Sequence, residues 1–219
     1  MKKPLIILTG PTAVGKTKLS ISLAKAVNGA IISADSMQVY RHMDIGSAKI
    51  RPEEMCGVPH YLIDVLDPSE EFHVVKFVEL AHEAMEKIYA AGQIPIVTGG
   101  TGFYIQALLK EVDFTESHGE LPIRKQLEEK AATEEGAAEL YRELSEVDPA
   151  SAETIHPNNV KRVTRALEYY HETGQKISEH NEEQKQKESP YCSAYFVLND
   201  ERSILYDRID RRVDQMIRD

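Results

Sequence analysis

The stretch GPTAVGKT, residues 10–17, constrains the fold of this chain more than any other. It fits G-x-x-x-x-G-K-[ST] without mismatch. It follows a short apolar run, PLIILT (4–9), and precedes a segment with Leu19, Leu23 and Val27 at helical spacing. A strand, a glycine loop and a helix in that order form a phosphate cradle. Gly10 and Gly15 permit the tight turn, and Pro11, Thr12, Ala13 and Val14 make the loop between them. Backbone N–H groups and the helix N-terminus face the anion. Lys16 supplies a point charge, and the Thr17 hydroxyl can hold Mg²⁺. The alternative is a glycine-rich strand–helix turn with no ligand. The motif does not say which phosphate compound binds.

The rest of the first half extends this pattern. AIISAD (30–35), PHYLIDVLDP (59–68) and QIPIVTGG (93–100) read as further buried strands, the second of them weaker and ended by Pro68. Residues 69–91 place Phe77, Ala81, Ala84 and Ile88 on one helical face, and TGFYIQALL opens another helix. Alternation of this kind predicts an α/β fold: a P-loop NTPase-like parallel sheet with helices on both faces.

Near Lys110 the pattern changes. KEVDFTESHGELP reads as a linker, and 122–147 as one charge-rich helix that Asp148-Pro149 ends. Residues 156–174 read as a helix capped at Asn158 or Asn159, and 178–189, poor in apolar residues, as a solvated loop. AYFVLND (194–200) returns to strand, followed by a helix. The expected organisation is a core of 1–115 and 191–219 interrupted by a helical insertion, 116–190. The final helix stops in mid-pattern at Asp219, so the chain is expected to be a fragment of a longer protein.

Composition narrows the function classes. No apolar run is long enough to span a bilayer, so no membrane partner is expected. Two distant cysteines, Cys56 and Cys192, suit a reducing cytoplasm and argue against structural zinc. The eight histidines form no HxxxH or HExxH pair. A net charge of −10 argues against a nucleic-acid partner unless Lys and Arg gather locally.

In an open α/β sheet, ligands sit beyond the carboxyl ends of the strands. Asp35 and Thr101 fall on that rim with the cradle. Asp35 is a candidate general base and the Thr101 hydroxyl a polar handle; alternatively Asp35 caps a helix and Thr101 caps the one after it. Asp64 is the nearest Walker B candidate, a poor one because Tyr61 interrupts its apolar run. Arg208 and Arg212, spaced i,i+4, share a helix face and suit a diphosphate. Arg162 and Arg165 make a second basic face, and Arg124 begins the insertion. These three are candidate RNA-backbone contacts, or an ordinary solvated face with Glu partners.

Together, GPTAVGKT, SADSMQVYRHMDIGSAK, HYLIDVLDP, TGGTGFYIQALL and IHPNNVKRVTRALEYY resemble the tRNA dimethylallyltransferase (isopentenyltransferase) family. The resemblance implies transfer of a dimethylallyl group from dimethylallyl diphosphate to the exocyclic amine of the adenosine 3′ to the anticodon. It implies that the cradle holds the donor's diphosphate, that Asp35 takes the amine's proton, and that Thr101 sits beside that amine. Asp35, Ser36, Met37, Gln38 and Arg124 are expected to touch the tRNA, and the insertion to grip its anticodon stem-loop. The family continues well beyond a position equivalent to Asp219. A cytoplasmic monomer using Mg²⁺ is expected. The rival expectations are a P-loop small-molecule kinase using ATP, an adenine-nucleotide prenyltransferase, and a nucleotide-gated RNA-binding module.

Overall fold

The computed structural model describes residues 2–112 and 122–218. The proposed linker from Lys110 to Pro122 and the proposed boundary at 115/116 fall mostly outside those residues. The chain divides into two compact units, Met1–Val112 with Ser189–Asp219, and Asp113–Glu188.

The first unit is built on a five-stranded, all-parallel sheet in the order β3-β2-β4-β1-β5. Its strands are β1 (Lys3–Thr9), β2 (Gly29–Ser33), β3 (His60–Tyr61), β4 (Ile94–Gly99) and β5 (Tyr191–Val197). Alternate residues of the central strands pack on opposite faces, as the pleat requires. Leu5, Ile7, Ala30, Ile32 and Val97 meet Phe77, Ala81 and Ile88 of α2 (Val74–Ala90) and Ile105 and Leu108 of α3 (Gly102–Lys110). Ile31 and Ile96 face Ala24 of α1 (Lys16–Val27) on the other side. The core is therefore the doubly wound α/β arrangement the sequence predicts.

Two readings need correction here. The 59–68 strand shrinks to β3, because Leu62 and Asp64 take left-handed φ of 63° and 54°, which breaks the ladder. Beyond it, an isolated parallel bridge joins Tyr40 and Leu66. Helix α2 starts at Val74 rather than 69, with His73 as its N-cap. Gly10, at φ 148°, is required by packing as well as by the turn: a Cβ there would lie 2.4 Å from the Leu198 carbonyl oxygen.

The second unit is helical: α4 (Pro122–Lys130), α5 (Glu134–Val147), α6 (Pro149–Thr154), α7 (Val160–Thr173) and α8 (Ile177–Gln186). Leu127, Leu140, Leu144, Val163 and Leu167 form its core. The single helix read over 122–147 is two, because the Thr133 hydroxyl accepts the Gly136 N–H at 3.1 Å and starts a new helix. Asn159 is the N-cap of α7, but its side chain makes no capping bond. The solvated loop read over 178–189 is mostly α8, which lacks an apolar stripe and is held instead by a distant cap. Asp148, 1% exposed, accepts from Ser151 N–H and Oγ–H at the start of α6, and from Ser178 N–H and Oγ–H at the start of α8.

Burial pushes the Asp148 pKa up, but the Ser178 and Ser151 hydrogen bonds outweigh it and hold the carboxyl below its ordinary range. A depressed folded-state pKa adds stability above the unfolded value, and that stability is lost as pH falls through the folded value. Asp148→Ala should destabilise this unit by roughly 2–4 kcal/mol, since one change strands two buried donors of Ser151 and two part-buried donors of Ser178. Urea unfolding at neutral pH measures the loss, and the gap between wild type and variant should narrow in acid.

Candidate active site

The carboxyl ends of β1, β2 and β4 open onto one cavity of about 980 Å³. The cradle, the end of β2, the end of β4 and the helix α9 (Arg202–Arg218) contribute its walls. Thr12, Ala13, Gly15, Lys16, Thr17, Asp35, Gln38, Arg208 and Arg212 all line it. The structure thus gathers in one place most of the core residues that the sequence singles out. Gly10, Pro11 and Val14 belong to the same loop but are not among the lining residues, nor are Ser36, Met37 or Thr101.

Lys16 is half-buried at the head of α1. Its Nζ donates to the carbonyls of Gly10 at 2.8 Å and Pro11 at 2.7 Å, folding the side chain across the loop. Burial lowers its pKa, the Arg212 charge lowers it further, and Asp35 partly opposes both. Lys16, Arg212 and Asp35 are therefore close enough to feel one another's charge. An ammonium made less stable by burial and by a like charge gains the more from an incoming anion.

Asp35 lies two residues past the end of β2. Its Oδ1 accepts the N–H groups of Met37 at 2.8 Å and Gln38 at 3.2 Å. The bland reading, that Asp35 caps a helix, needs correction: this oxygen caps a turn, because residues 36–39 form no helix. Its Oδ2 accepts no hydrogen bond among the described residues. The Ala34 N–H donates to the Thr98 carbonyl at 2.8 Å, which fixes the end of β2 beside that of β4. Gly99 makes this approach possible, since a Cβ there would meet the Ala34 oxygen at 2.2 Å. GGTG thus lets two strand ends close on each other. Thr101 occupies the N-cap position of α3, yet its side chain makes no capping bond.

Arg208 pairs with Asp200 at 3.0 Å. On the strand next to the cradle strand, β4 ends in Thr98-Gly99 without a carboxylate. The Walker B candidate Asp64 also lines the cavity, its Oδ1 accepting from Lys49 Nζ at 2.5 Å. Lys49, Asp44 and Arg51 also line the cavity. Their signal in the sequence is MDIGSAK, with Asp44 and Lys49 around Gly46, inside the block SADSMQVYRHMDIGSAK. Five Lys or Arg residues line the cavity against four Asp or Glu, a positive balance in a chain of net charge −10.

A magnesium ion fits the donor set only in part-protein fashion. Among the described residues no group of three or more His, Cys, Asp or Glu could hold a metal. The exposed Thr17 hydroxyl lines the cavity, so an ion there would share its shell with ligand oxygens and water, the usual habit of Mg²⁺.

The three arginines of the second unit differ in their surroundings. Glu168, itself buried, accepts from Arg165 at 2.7 Å and lies 3.9 Å from Arg124, which also bonds Glu128 at 3.2 Å. Arg124 and Arg165 thus have the Glu partners of the bland reading. Arg162 is exposed and makes no ion pair among the described residues.

Comparison with known proteins supplies the remaining information. The family model described as IPP transferase matches residues 38–219. The chain is 65% identical over 215 residues to a tRNA dimethylallyltransferase from Lachnoclostridium phytofermentans, covering 98% of this chain and 68% of the relative. Identity to the Bacillus licheniformis tRNA dimethylallyltransferase is 51%, at 99% and 68% coverage. The fold is similar to that of a eukaryotic dimethylallyltransferase acting on tRNA, with a TM-score of 0.87, 38% identity, and 99% of this chain but 53% of the other covered. It is also similar to the tRNA isopentenylpyrophosphate transferase of Bacillus halodurans, with a TM-score of 0.66, 46% identity, and 100% and 67% covered. The chain spans about two thirds of the length of the curated relatives and about half that of the eukaryotic structure.

Proposed function

From the premise that the chain belongs to the IPP transferase family, we propose that it transfers a dimethylallyl group from dimethylallyl diphosphate to tRNA, at the N6 amine of the adenosine 3′ to the anticodon, releasing diphosphate. The observation that carries this reading is the meeting of the cradle, Lys16 and Asp35 in one cavity. The strand beside the cradle strand, β4, ends in Thr98-Gly99 with no carboxylate, which tells against the kinase alternative, whose metal wants a Walker B carboxylate there.

The chemistry follows from the placement. The adenine amine is a weak nucleophile, because its lone pair is delocalised into the ring. Asp35, through the oxygen that caps no turn, accepts the amine's proton as the N–C bond forms. The C–O bond of the donor breaks, and charge builds on the departing diphosphate. The backbone N–H groups of the cradle, Lys16, Arg208 and Arg212 stabilise that charge from a site already organised for it. When bound, Mg²⁺ at Thr17 would neutralise diphosphate oxygens. Thr101, its hydroxyl free of a capping bond, would hydrogen-bond near the amine. The target base must leave its stack to reach Asp35, which costs a few kcal/mol.

Ser36, Met37 and Gln38 extend from Asp35 and would contact the RNA, with Arg124, Arg162 and Arg165 on its backbone. Among the described residues no helix is long and apolar enough to cross a membrane, and both cysteines are free and exposed. We place the enzyme in the cytoplasm as a monomer.

Mass spectrometry of tRNA incubated with protein and donor tests the reading. It expects one dimethylallyl addition at the adenosine next to the anticodon; unmodified tRNA beside a prenylated free adenine nucleotide, or a phosphorylated small molecule, would overturn it. RNA affinity should also fall with rising salt, roughly tenfold or more between 50 and 200 mM if several backbone phosphates are gripped. Filter binding across a salt series measures this.

A further inference from the structure

We propose that Lys49 is a positioning residue for the acceptor: its ammonium ties the segment that carries Asp35 and Gln38 to the Asp64 turn, and so sets where those side chains meet the target base. The inference rests on the RNA-prenylating reading above.

Lys49 lines the phosphate cavity, yet it has no donor left for a phosphate. Its Nζ donates to the Tyr40 carbonyl at 2.7 Å, to Asp44 Oδ1 at 2.7 Å and to Asp64 Oδ1 at 2.5 Å. An ammonium has three donors, and all three are used. The Lys49 side chain is 5% exposed, while those of Asp44 and Asp64 are 70% and 50% exposed. Burial by itself would lower the Lys49 pKa, but the bonds from Asp44 and Asp64 outweigh it and raise it. The group therefore stays charged as a fixed internal tie.

What it ties is the segment between the base and the cavity mouth. Gln38 Nε2 donates to the Ala48 carbonyl at 3.2 Å, one residue from Lys49. The Asp64 N–H donates to the Gln38 carbonyl at 3.1 Å, and the Val65 N–H to that of Val39 at 2.8 Å. Lys49 thus joins both ends of the 40–49 loop, its Asp44 and the facing turn. His42 and Ala48 sit at φ 63° and 50°, a backbone region that side chains other than glycine occupy at a cost. Such a loop keeps its shape only while something holds it. The cradle hangs on a different strand and needs none of these bonds.

Lys49→Met keeps length and removes the tie. With wild type active on an anticodon stem-loop, the variant should lose roughly 10²-fold in kcat/KM for the RNA, the scale of a small misplacement of reacting groups. Dissociation of dimethylallyl diphosphate, measured separately, should not change. Amide exchange over residues 36–48 should quicken. Asp64→Ala, which removes the acceptor, should weaken RNA turnover in the same direction, and the double variant should lose less than the two single losses combined. Should Lys49→Met fail to fold, Asp64→Ala, at a half-exposed side chain, carries the same test. Unchanged RNA kinetics, or parallel loss of donor affinity, would overturn the positioning role. Wild type that leaves the stem-loop unmodified would instead overturn the RNA reading, and this inference with it.

Discussion

Asp35→Asn should lower turnover by ~10²–10⁴ while dimethylallyl diphosphate binds as before, because the change removes a positioned base and leaves the cradle whole. Asparagine is the informative replacement. Oδ1 of Asp35 accepts two backbone N–H groups, from Met37 and Gln38, and an asparagine oxygen can still do so. The turn that leads into Ser36–Gln38 therefore survives, and the lost function is proton acceptance alone. Asp35→Ala would remove the turn's anchor as well and should also raise KM for RNA. Single-turnover quench with saturating donor separates the two: the asparagine variant loses rate, the alanine variant loses rate and RNA affinity. A near-normal rate for Asp35→Asn would take this residue out of the chemistry.

Lys16→Ala should weaken donor binding by roughly 10–100-fold, the loss expected from deleting a hydrogen-bonding cation beside phosphate oxygens. Without the prenyl donor, Lys16 spends two of its three N–H groups on the carbonyls of Gly10 and Pro11, which leaves one for a diphosphate oxygen. A second signature follows from its lowered pKa. Burial and Arg212 favour the neutral amine, so that form appears at a lower pH than for a free lysine. An anion favours the ammonium and raises the pKa again. Donor affinity should therefore fall as pH rises through the donor-free value, and binding there should take up a proton. Calorimetry in two buffers of different ionisation enthalpy measures that uptake, and Lys16→Ala should abolish it. An alanine variant that binds donor as wild type does would mean that the loop holds something else.

How much of this was legible beforehand depends on the range of the interactions involved. The cradle, β1, β2, β4 and the rim position of Asp35 follow from local pattern, because continuous apolar runs and glycines at fixed offsets act within a few residues. Helix α8 did not show itself, since its sequence has no apolar stripe; Asp148, 30 residues earlier, supplies the cap. The break at Thr133 was written in the sequence as a capping residue ahead of Glu134 and Glu135, but the apolar spacing through Leu127 and Leu140 masked it. The role of Asp64 was hidden for another reason. A carboxylate after an apolar run looks the same whether it awaits a metal or a lysine, and only the fold brings Lys49 to it. The reason for Gly99 was equally invisible, because it depends on a strand remote in sequence.

A crystal structure with an unreactive donor analogue and an anticodon stem-loop bound together tests whether the loop and Asp35 serve one reaction. Diphosphate should lie on the 10–17 loop with Lys16 against its oxygens, and the Asp35 carboxylate within about 2.6–3.2 Å of the flipped adenine's N6. Diphosphate seated away from that loop, or N6 facing another base with Asp35 turned aside, would contradict it.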